Sequence, residues 1–202
     1  MLRLYLIRHG RSAMNAERRV QGWLDPPLDE RGRAEAEAVA RRLAGRSVEA
    51  VYSSDLRRAR ETAQVVADLL GRPLILDPRL RERDFGPISG LTVEEIRQGF
   101  PEVVRTWEAN RADFPGGELS ASFRDRVTAA FADIISAHPQ GEVAVVAHGG
   151  TLAVYLSSLL GLQPGWRIPL RLDNGSLSVV EIEDGRPRIC GVNDCCHLEE
   201  MG

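Results

Sequence analysis

Arg8, His9, Arg58, Glu82 and His148 lie far apart along the chain, yet each stands just past the end of a stretch that reads as a β-strand. The apolar run Leu2 to Ile7, broken only by Arg3, stops at Arg8-His9-Gly10. A nearly unbroken Val/Ala run, Glu142 to Ala147, stops at His148-Gly149-Gly150. In an open α/β sheet the loops leaving the carboxyl ends of the strands converge on one crevice, so polar residues placed there face a ligand rather than the core. Collected at one sheet edge, these residues supply two imidazoles, two guanidinium groups and a carboxyl around a small cavity. That set suits a phosphate ester. The arginines orient and neutralise the phosphoryl oxygens, a neutral imidazole attacks phosphorus in line, and a carboxylic acid protonates the departing alkoxide. Unaided hydrolysis of such esters is so slow that enzymes accelerate it by up to ~10²¹-fold, which asks for positioned cations and an acid together. Singly, each residue has a plainer reading. His9 and His148 fit turns or strand ends, Arg58 is flanked by Arg57 and Arg60, and Glu82 can pair with Arg81 or Arg83 on the surface. Chance gives no reason for all of them to fall at strand ends.

The elements that must position them follow from hydrophobic periodicity. Arg11 to Leu28 is a polar, glycine-containing loop, of a length that tends to be functional. Asp29 is an N-cap for a helix through Leu43, with Ala36, Val39, Ala40 and Leu43 on one face. Val48 to Tyr52 reads as a strand, and Ser53-Ser54-Asp55 starts a helix to Leu70 whose buried stripe is Leu56, Ala59, Ala63, Val66 and Leu70. Arg58 falls in its first turn. Pro73 to Leu76 is an edge-like strand leading into Leu80 to Gly86. Thr92 and Glu95 have capping-box spacing for a helix ending before Pro101, with a further helical piece around Val103 to Trp107. Ser120 to His138 is a long helix with Phe123, Val127, Phe131, Ile134 and Ile135 inward. Thr151 to Leu160 is another, closed by Gly161 and followed by a Pro/Gly-containing link. Two late strands, Ser176 to Ile182 and Arg188 to Val192, join at Asp184-Gly185. The stretch Phe85 to Gly117 interrupts the alternation and reads as a lid-like excursion covering the sheet edge. The expectation is an α/β three-layer sandwich, a largely parallel central sheet flanked by helices, in a single domain over residues 1–202.

With 202 residues, 43% hydrophobic and 27% charged, the chain can bury one sizeable core. A net charge of −3 offers no global attraction to nucleic acid or to anionic membrane, so neither is an expected partner and any anion site must be made locally. Cys190, Cys195 and Cys196 are odd in number and lack zinc-type pairing, which points to reduced thiols. Met1 leads straight into the first strand with no signal-peptide pattern, and no segment approaches the ~18 apolar residues of a membrane span. A cytoplasmic protein is expected.

Taken together, the motifs resemble the histidine phosphatase superfamily, phosphoglycerate-mutase-like branch, over nearly the whole chain. Leu6 to Gly10 resembles its nucleophile motif. Asn15, Gln21-Gly22-Trp23-Leu24-Asp25 and Pro27-Leu28 resemble the substrate-side loop. Ser54-Asp55-Leu56-Arg57-Arg58-Ala59 with Thr62 resembles the segment holding the second phosphate-binding arginine, and Leu80 to Gly86 with Gly90 the segment carrying the acid. Ala147-His148-Gly149-Gly150 resembles the second histidine motif. Ordered motifs at matching spacings are far more specific than any one alone. The resemblance implies a phosphoglycerate-mutase-like fold in which His9 becomes phosphorylated, Arg8, Arg58 and His148 bind the phosphoryl group, and Glu82 protonates the leaving group. It further implies substrate contacts at Asn15, Gln21, Gly22 and Gly149, with no metal and no cofactor. Arg11 stands where many relatives have glutamate, and Leu119 where serine is common after Pro115-Gly116-Gly117-Glu118. Glu118 reads either as a substrate contact or as a helix-start charge.

The compact stretch between the acid motif and the second histidine, and the ending from Asp173-Asn174-Gly175-Ser176 to Glu200, resemble the small phosphatases, including metal-independent phosphoserine phosphatases. The expected activity is a metal-independent phosphatase acting on a small phosphorylated metabolite: phosphoserine, a phosphorylated sugar or glycerate, or a ribazole phosphate. Two alternatives stand beside it: mutase-type phosphoryl transfer, and a non-catalytic phosphate-binding regulatory module that needs the arginines but neither His9 nor Glu82. A metal-dependent phosphohydrolase would want a carboxylate cluster at strand ends, and the sequence offers none. Adjacent Cys195-Cys196 beside His197 is a poor zinc pattern. A tail folded near the substrate mouth and an inert tail are both open. The late strands can make the edge of a homodimer or be covered within the chain.

Overall fold

The computed structural model describes residues 1–111, 113–162 and 170–201. Its strands are β1 (Leu2–Arg8), β2 (Val48–Ser53), β3 (Leu74–Leu76), β4 (Gly141–Ala147), β5 (Leu177–Glu183) and β6 (Arg186–Asp194). They form one sheet in the order β3-β2-β4-β1-β5-β6. The pairs from β3 to β1 are parallel, and β5 and β6 return antiparallel, so the sheet is largely parallel as expected. The helices are α1 (Ala13–Ala16), α2 (Glu30–Leu43), α3 (Arg57–Leu70), α4 (Val93–Gly99), α5 (Pro101–Glu108), α6 (Ser120–Ala137) and α7 (Gly149–Leu159).

The two-residue period of β1 divides the core between the two faces of the sheet. Leu2, Leu4 and Leu6 join Val143 and Val145 against Phe123, Val127 and Phe131 of α6 and Leu152 and Leu156 of α7. Tyr5 and Ile7 join Ala144 and Val146 against Val39 and Leu43 of α2 and Ala59, Ala63 and Val66 of α3. Each such leucine or isoleucine contributes about 1.5–3 kcal/mol by burial, enough to set the register of β1 against β4. Arg3, the one polar break, reaches its register neighbours on both sides, Glu142 of β4 and Glu181 of β5.

Several boundaries differ from the periodicity. The helix after β2 starts at Arg57, later than Ser53-Ser54-Asp55, because those side chains are engaged elsewhere: Asp55 in an ion pair with Arg81, and Ser54 against His148. Arg58 remains in the first turn. Within the loop expected over 11–28, Ser12 and Asn15 form a reciprocal cap on the short helix α1. Asp29 caps α2 through the amide of Gly32, and Thr92 and Glu95 form the capping box of α4. The further helical piece begins at Pro101, where a helix tolerates a residue without an N–H. The link after Gly161 falls largely outside the described residues.

The 85–117 excursion builds its own small core from Ile88, Ile96, Val103 and Phe114, with Val20 packed against it. Its backbone pairs with the loop after β1: Val20 N–H donates to Leu91 O at 2.9 Å, and Gly90 N–H to Val20 O at 2.7 Å. It therefore sits beside the carboxyl ends of the strands. The expected cover of the sheet edge is not what it provides, since Ile75 and Leu76 on the edge strand β3 stay exposed. Among the described residues no helix is long and apolar enough to cross a membrane.

Candidate active site

The ends of the four parallel strands bring the predicted residues together. A cavity of about 170 Å³ is lined by Arg8 and His9 after β1, Arg58 after β2, Glu82 after β3 and Gly149 after β4, with Asn15, Gln21 and Gly22 from the β1 loop. His148 lies directly behind, its ring edge-on to that of His9 at 5.0 Å between centroids. Arg19, Val20 and Phe85 complete the lining, and nothing in their sequence context had singled them out.

The backbone of His9 is held tightly. Gly175 N–H donates to the carbonyls of Arg8 and His9, and the Asn174 amide donates to His9 O at 3.0 Å. The Asp173-Asn174-Gly175 turn thus braces the end of β1 at His9, a contact that spacing along the chain does not show. On the other side, Gly10 N–H donates to Thr62 Oγ1 at 3.0 Å. Gly10 is required by contact: a Cβ there would lie 2.3 Å from Gly32 O in the first turn of α2. Ser12 Oγ donates to Gln21 Oε1 at 2.9 Å, so Gln21 is buried in bracing the loop after β1.

Two hydrogen bonds fix the tautomer of His9. Nδ1–H donates to Gly10 O at 2.7 Å, and Nε2 accepts from Arg58 Nε at 3.3 Å. The lone pair is therefore on Nε2. Burial, then the charges of Arg58 and Arg8, hold the His9 imidazole well below the usual histidine range, so it is neutral at pH 7. Burial and the same arginines act likewise on His148. The Ser54 hydroxyl, 2.9 Å from His148 Nε2, also accepts from Leu56 N–H and can give its own proton to Nε2, the arrangement that places the His148 proton on Nδ1.

Arg58 is almost fully buried; Nη1 donates to Leu24 O at 2.7 Å and Nη2 to Gly22 O at 2.9 Å. Burial pushes its pKa down to about 10, still charged at neutral pH. Arg8 donates from Nη1 to Leu172 O, while its buried Nε has no partner; burial lowers its pKa as well. His148 Nδ1 is likewise buried without a partner. An unsatisfied buried donor costs about 1–3 kcal/mol, and a phosphoryl oxygen would relieve both.

Glu82 is hung against the start of α7: Oε2 accepts from Gly150 N–H at 2.9 Å and Oε1 from Arg83 N–H at 2.9 Å. A helix starting at Gly149, earlier than the expected Thr151, supplies that amide. A Cβ at Gly150 would lie 2.3 Å from Glu82 Oε1. Gly150→Ala is accordingly expected to displace the carboxyl and lower kcat/KM on an alkyl phosphate by about 10–100-fold, measured at matched folded fraction.

Glu118, for which the sequence left a substrate contact and a helix-start charge both open, does not line the cavity; its carboxylate is taken by Arg126 and by Asp84 N–H. In the tail, His197 Nε2 lies 2.9 Å from Gly175 O, which braces the turn behind His9. Among the described residues no three His, Cys, Asp or Glu side chains converge on one point.

The neutral buried imidazoles also set a sign for stability. Below about pH 6.5 the unfolded chain protonates these histidines while the folded chain resists, so stability falls as pH falls, by up to about 1.4 kcal/mol per pH unit for each. Urea midpoints measured from pH 7 to pH 5 are expected to fall less steeply in His148→Gln than in the parent.

Comparison with known proteins identifies the family. The family model described as histidine phosphatase superfamily (branch 1) matches residues 4–195. The chain is 36% identical to Phosphoserine phosphatase 1 of Hydrogenobacter thermophilus over 203 residues, covering 100% of this chain and 96% of the relative. It is 38% identical to Phosphoglycerate mutase-like protein 4 of Arabidopsis thaliana over 205 residues, covering 98% and 88%. Among solved structures, Bacillus stearothermophilus YhfR superposes with a TM-score of 0.91 at 31% identity, covering 98% of this chain and 100% of that one. The chain belongs to the histidine phosphatase superfamily.

Proposed function

We propose that this chain hydrolyses the phosphomonoester of a small metabolite through a phosphoryl group carried transiently on Nε2 of His9. The observation that carries the reading is the His9 tautomer: a neutral imidazole whose Nε2 lone pair borders a cavity containing two buried arginines. In the first half-reaction Nε2 attacks phosphorus, the ester P–O bond breaks, and the Glu82 carboxyl gives its proton to the alkoxide. Arg8, Arg58 and His148 Nδ1–H hold the equatorial oxygens. In the second half, water attacks the phosphohistidine, its proton passes to the Glu82 carboxylate, the N–P bond breaks, and phosphate leaves.

Asn15, Gln21, Gly22 and Gly149 line the cavity beside these groups and are assigned to the substrate. A cavity of about 170 Å³ suits a small ester. Phosphoserine leads the panel because Phosphoserine phosphatase 1 aligns over the whole chain. Three unpaired thiols fit a reducing compartment, the cytoplasm. The mutase reading, favoured by the similarity to Phosphoglycerate mutase-like protein 4, differs only in the acceptor of the phosphoryl group.

The test is rapid quench during turnover of a ³²P-labelled ester. Label is expected on His9 as an acid-labile, alkali-stable phosphoramidate, and a label on any other residue rejects the route. Chasing the labelled enzyme with a hydroxylated metabolite distinguishes the acceptors: inorganic phosphate marks the hydrolase, and a new labelled ester marks the mutase.

A further inference from the structure

One guanidinium outside the cavity has every N–H group engaged, three of them with backbone carbonyls of the segment that carries Glu82. Arg126, on α6, donates from Nε to Glu118 Oε1 at 2.7 Å and from Nη2 to Glu118 Oε2 at 2.8 Å. Its Nη1 donates to the carbonyls of Arg79 and Arg81 at 2.8 and 2.7 Å, and Nη2 donates again to Glu82 O at 2.8 Å. A guanidinium has five N–H donors in a rigid fork, and these bonds use them all. The group stacks on the Phe123 ring at 4.8 Å and is largely buried.

The acceptor side is equally organised. Glu118 N–H donates to Asp84 O at 2.9 Å while Asp84 N–H donates to Glu118 Oε2 at 3.1 Å, so the two ends of the 85–117 excursion close on each other. The Trp23 indole N–H shares Glu82 O at 2.8 Å. An exposed ion pair contributes about 0–1 kcal/mol and needs no carbonyl acceptors. Three uncharged carbonyls from residues 79–82 indicate that the planar fork fixes the path of that turn.

We propose that Arg126 is a positioning residue for the acid, holding the 79–82 backbone so that the Glu82 carboxyl stays against Gly150 N–H, and joining that turn through Glu118 to the neck of the excursion. The proposal rests on Glu82 being the proton donor. Its signature is dependence on the leaving group. A nitrophenolate departs without a proton, whereas an alkoxide cannot, so misplacing the acid penalises an alkyl ester selectively.

The experiment compares kcat/KM for 4-nitrophenyl phosphate and an alkyl phosphate in the parent, Arg126→Lys, Arg126→Gln and Glu82→Gln. This constant spans the step in which the leaving group departs. Lysine keeps the charge but has three donors and no fork. Arg126→Lys is expected to lower the alkyl-to-aryl ratio by about tenfold, and Glu82→Gln by about 100-fold, with circular dichroism unchanged. If Glu82→Gln leaves the ratio alone, the acid assignment fails and this proposal fails with it. If Glu82→Gln moves the ratio but a folded Arg126→Lys slows both esters equally or neither, Arg126 alone is wrong. Failure of both Arg126 variants to fold would make it a folding element and equally overturn the positioning role.

Discussion

Replacing His9 by alanine is expected to lower kcat/KM on every phosphomonoester by about 10⁴-fold or more, while inorganic phosphate still binds within about tenfold of the parent affinity. The two halves of that expectation come from separate groups. Attack depends on the Nε2 lone pair, and no other side chain lining the cavity supplies a neutral nitrogen nucleophile. Anion affinity depends on Arg8, Arg58 and His148, each of which keeps at least one anchor other than the His9 ring: Leu172 O for Arg8, Gly22 O and Leu24 O for Arg58, and the Ser54 hydroxyl for His148. Steady-state kinetics on an aryl phosphate with calorimetric titration of phosphate reads both. Activity within tenfold of the parent would remove His9 from the bond-making step. An inactive parent that binds phosphate as well as the variant would identify a regulatory module instead.

The strand ends were legible in the sequence because a parallel sheet covered on both faces leaves long apolar runs, and the first polar residue after each run must lie at its carboxyl edge. That logic located Arg8, His9 and His148 from pattern alone, and Arg58 through its place in the turn after β2. It could not locate groups that act across the fold. Arg126 sits on a helix whose apolar period is satisfied by Phe123, Val127 and Phe131, so its partners at residues 79–82 left no trace in spacing. Asn174 reads as turn chemistry, and only the pairing of β5 with β1 brings it to His9 O. The helix α7 starts two residues before the expected Thr151, on paired glycines, residues that ordinarily disfavour a helix. There, however, they allow close approach of Arg8 at Gly149 and of the Glu82 carboxylate at Gly150. The excursion lies beside the carboxyl ends of the strands rather than over the sheet edge because its apolar residues pack on one another and on Val20, a contact between loops that carries no periodicity.

Arg58→Lys should be nearly as damaging as loss of the side chain, with a fall in kcat/KM of about 10³-fold, because the charge alone is not what the site uses. The guanidinium donates to three acceptors at once, Gly22 O and Leu24 O of the substrate-side loop and Nε2 of His9, and an ammonium on a flexible stem cannot span them. Two loop carbonyls then lose their buried partner, at about 1–3 kcal/mol each, so the urea midpoint drops as well. The informative readout is the pH profile. In the parent, burial first and Arg58 next keep His9 unprotonated, so kcat/KM shows no loss from His9 protonation between pH 8 and about 6. In Arg58→Ala the opposing charge is gone and water reaches the ring; both raise the His9 pKa toward 6.5, and activity declines as pH falls through that value. Lysine restores a charge near the ring, so Arg58→Lys should keep the flat parental profile at a lower plateau. A plateau that falls in both variants with no shift of the acid limb in Arg58→Ala would mean that Arg58 binds phosphate without tuning the nucleophile.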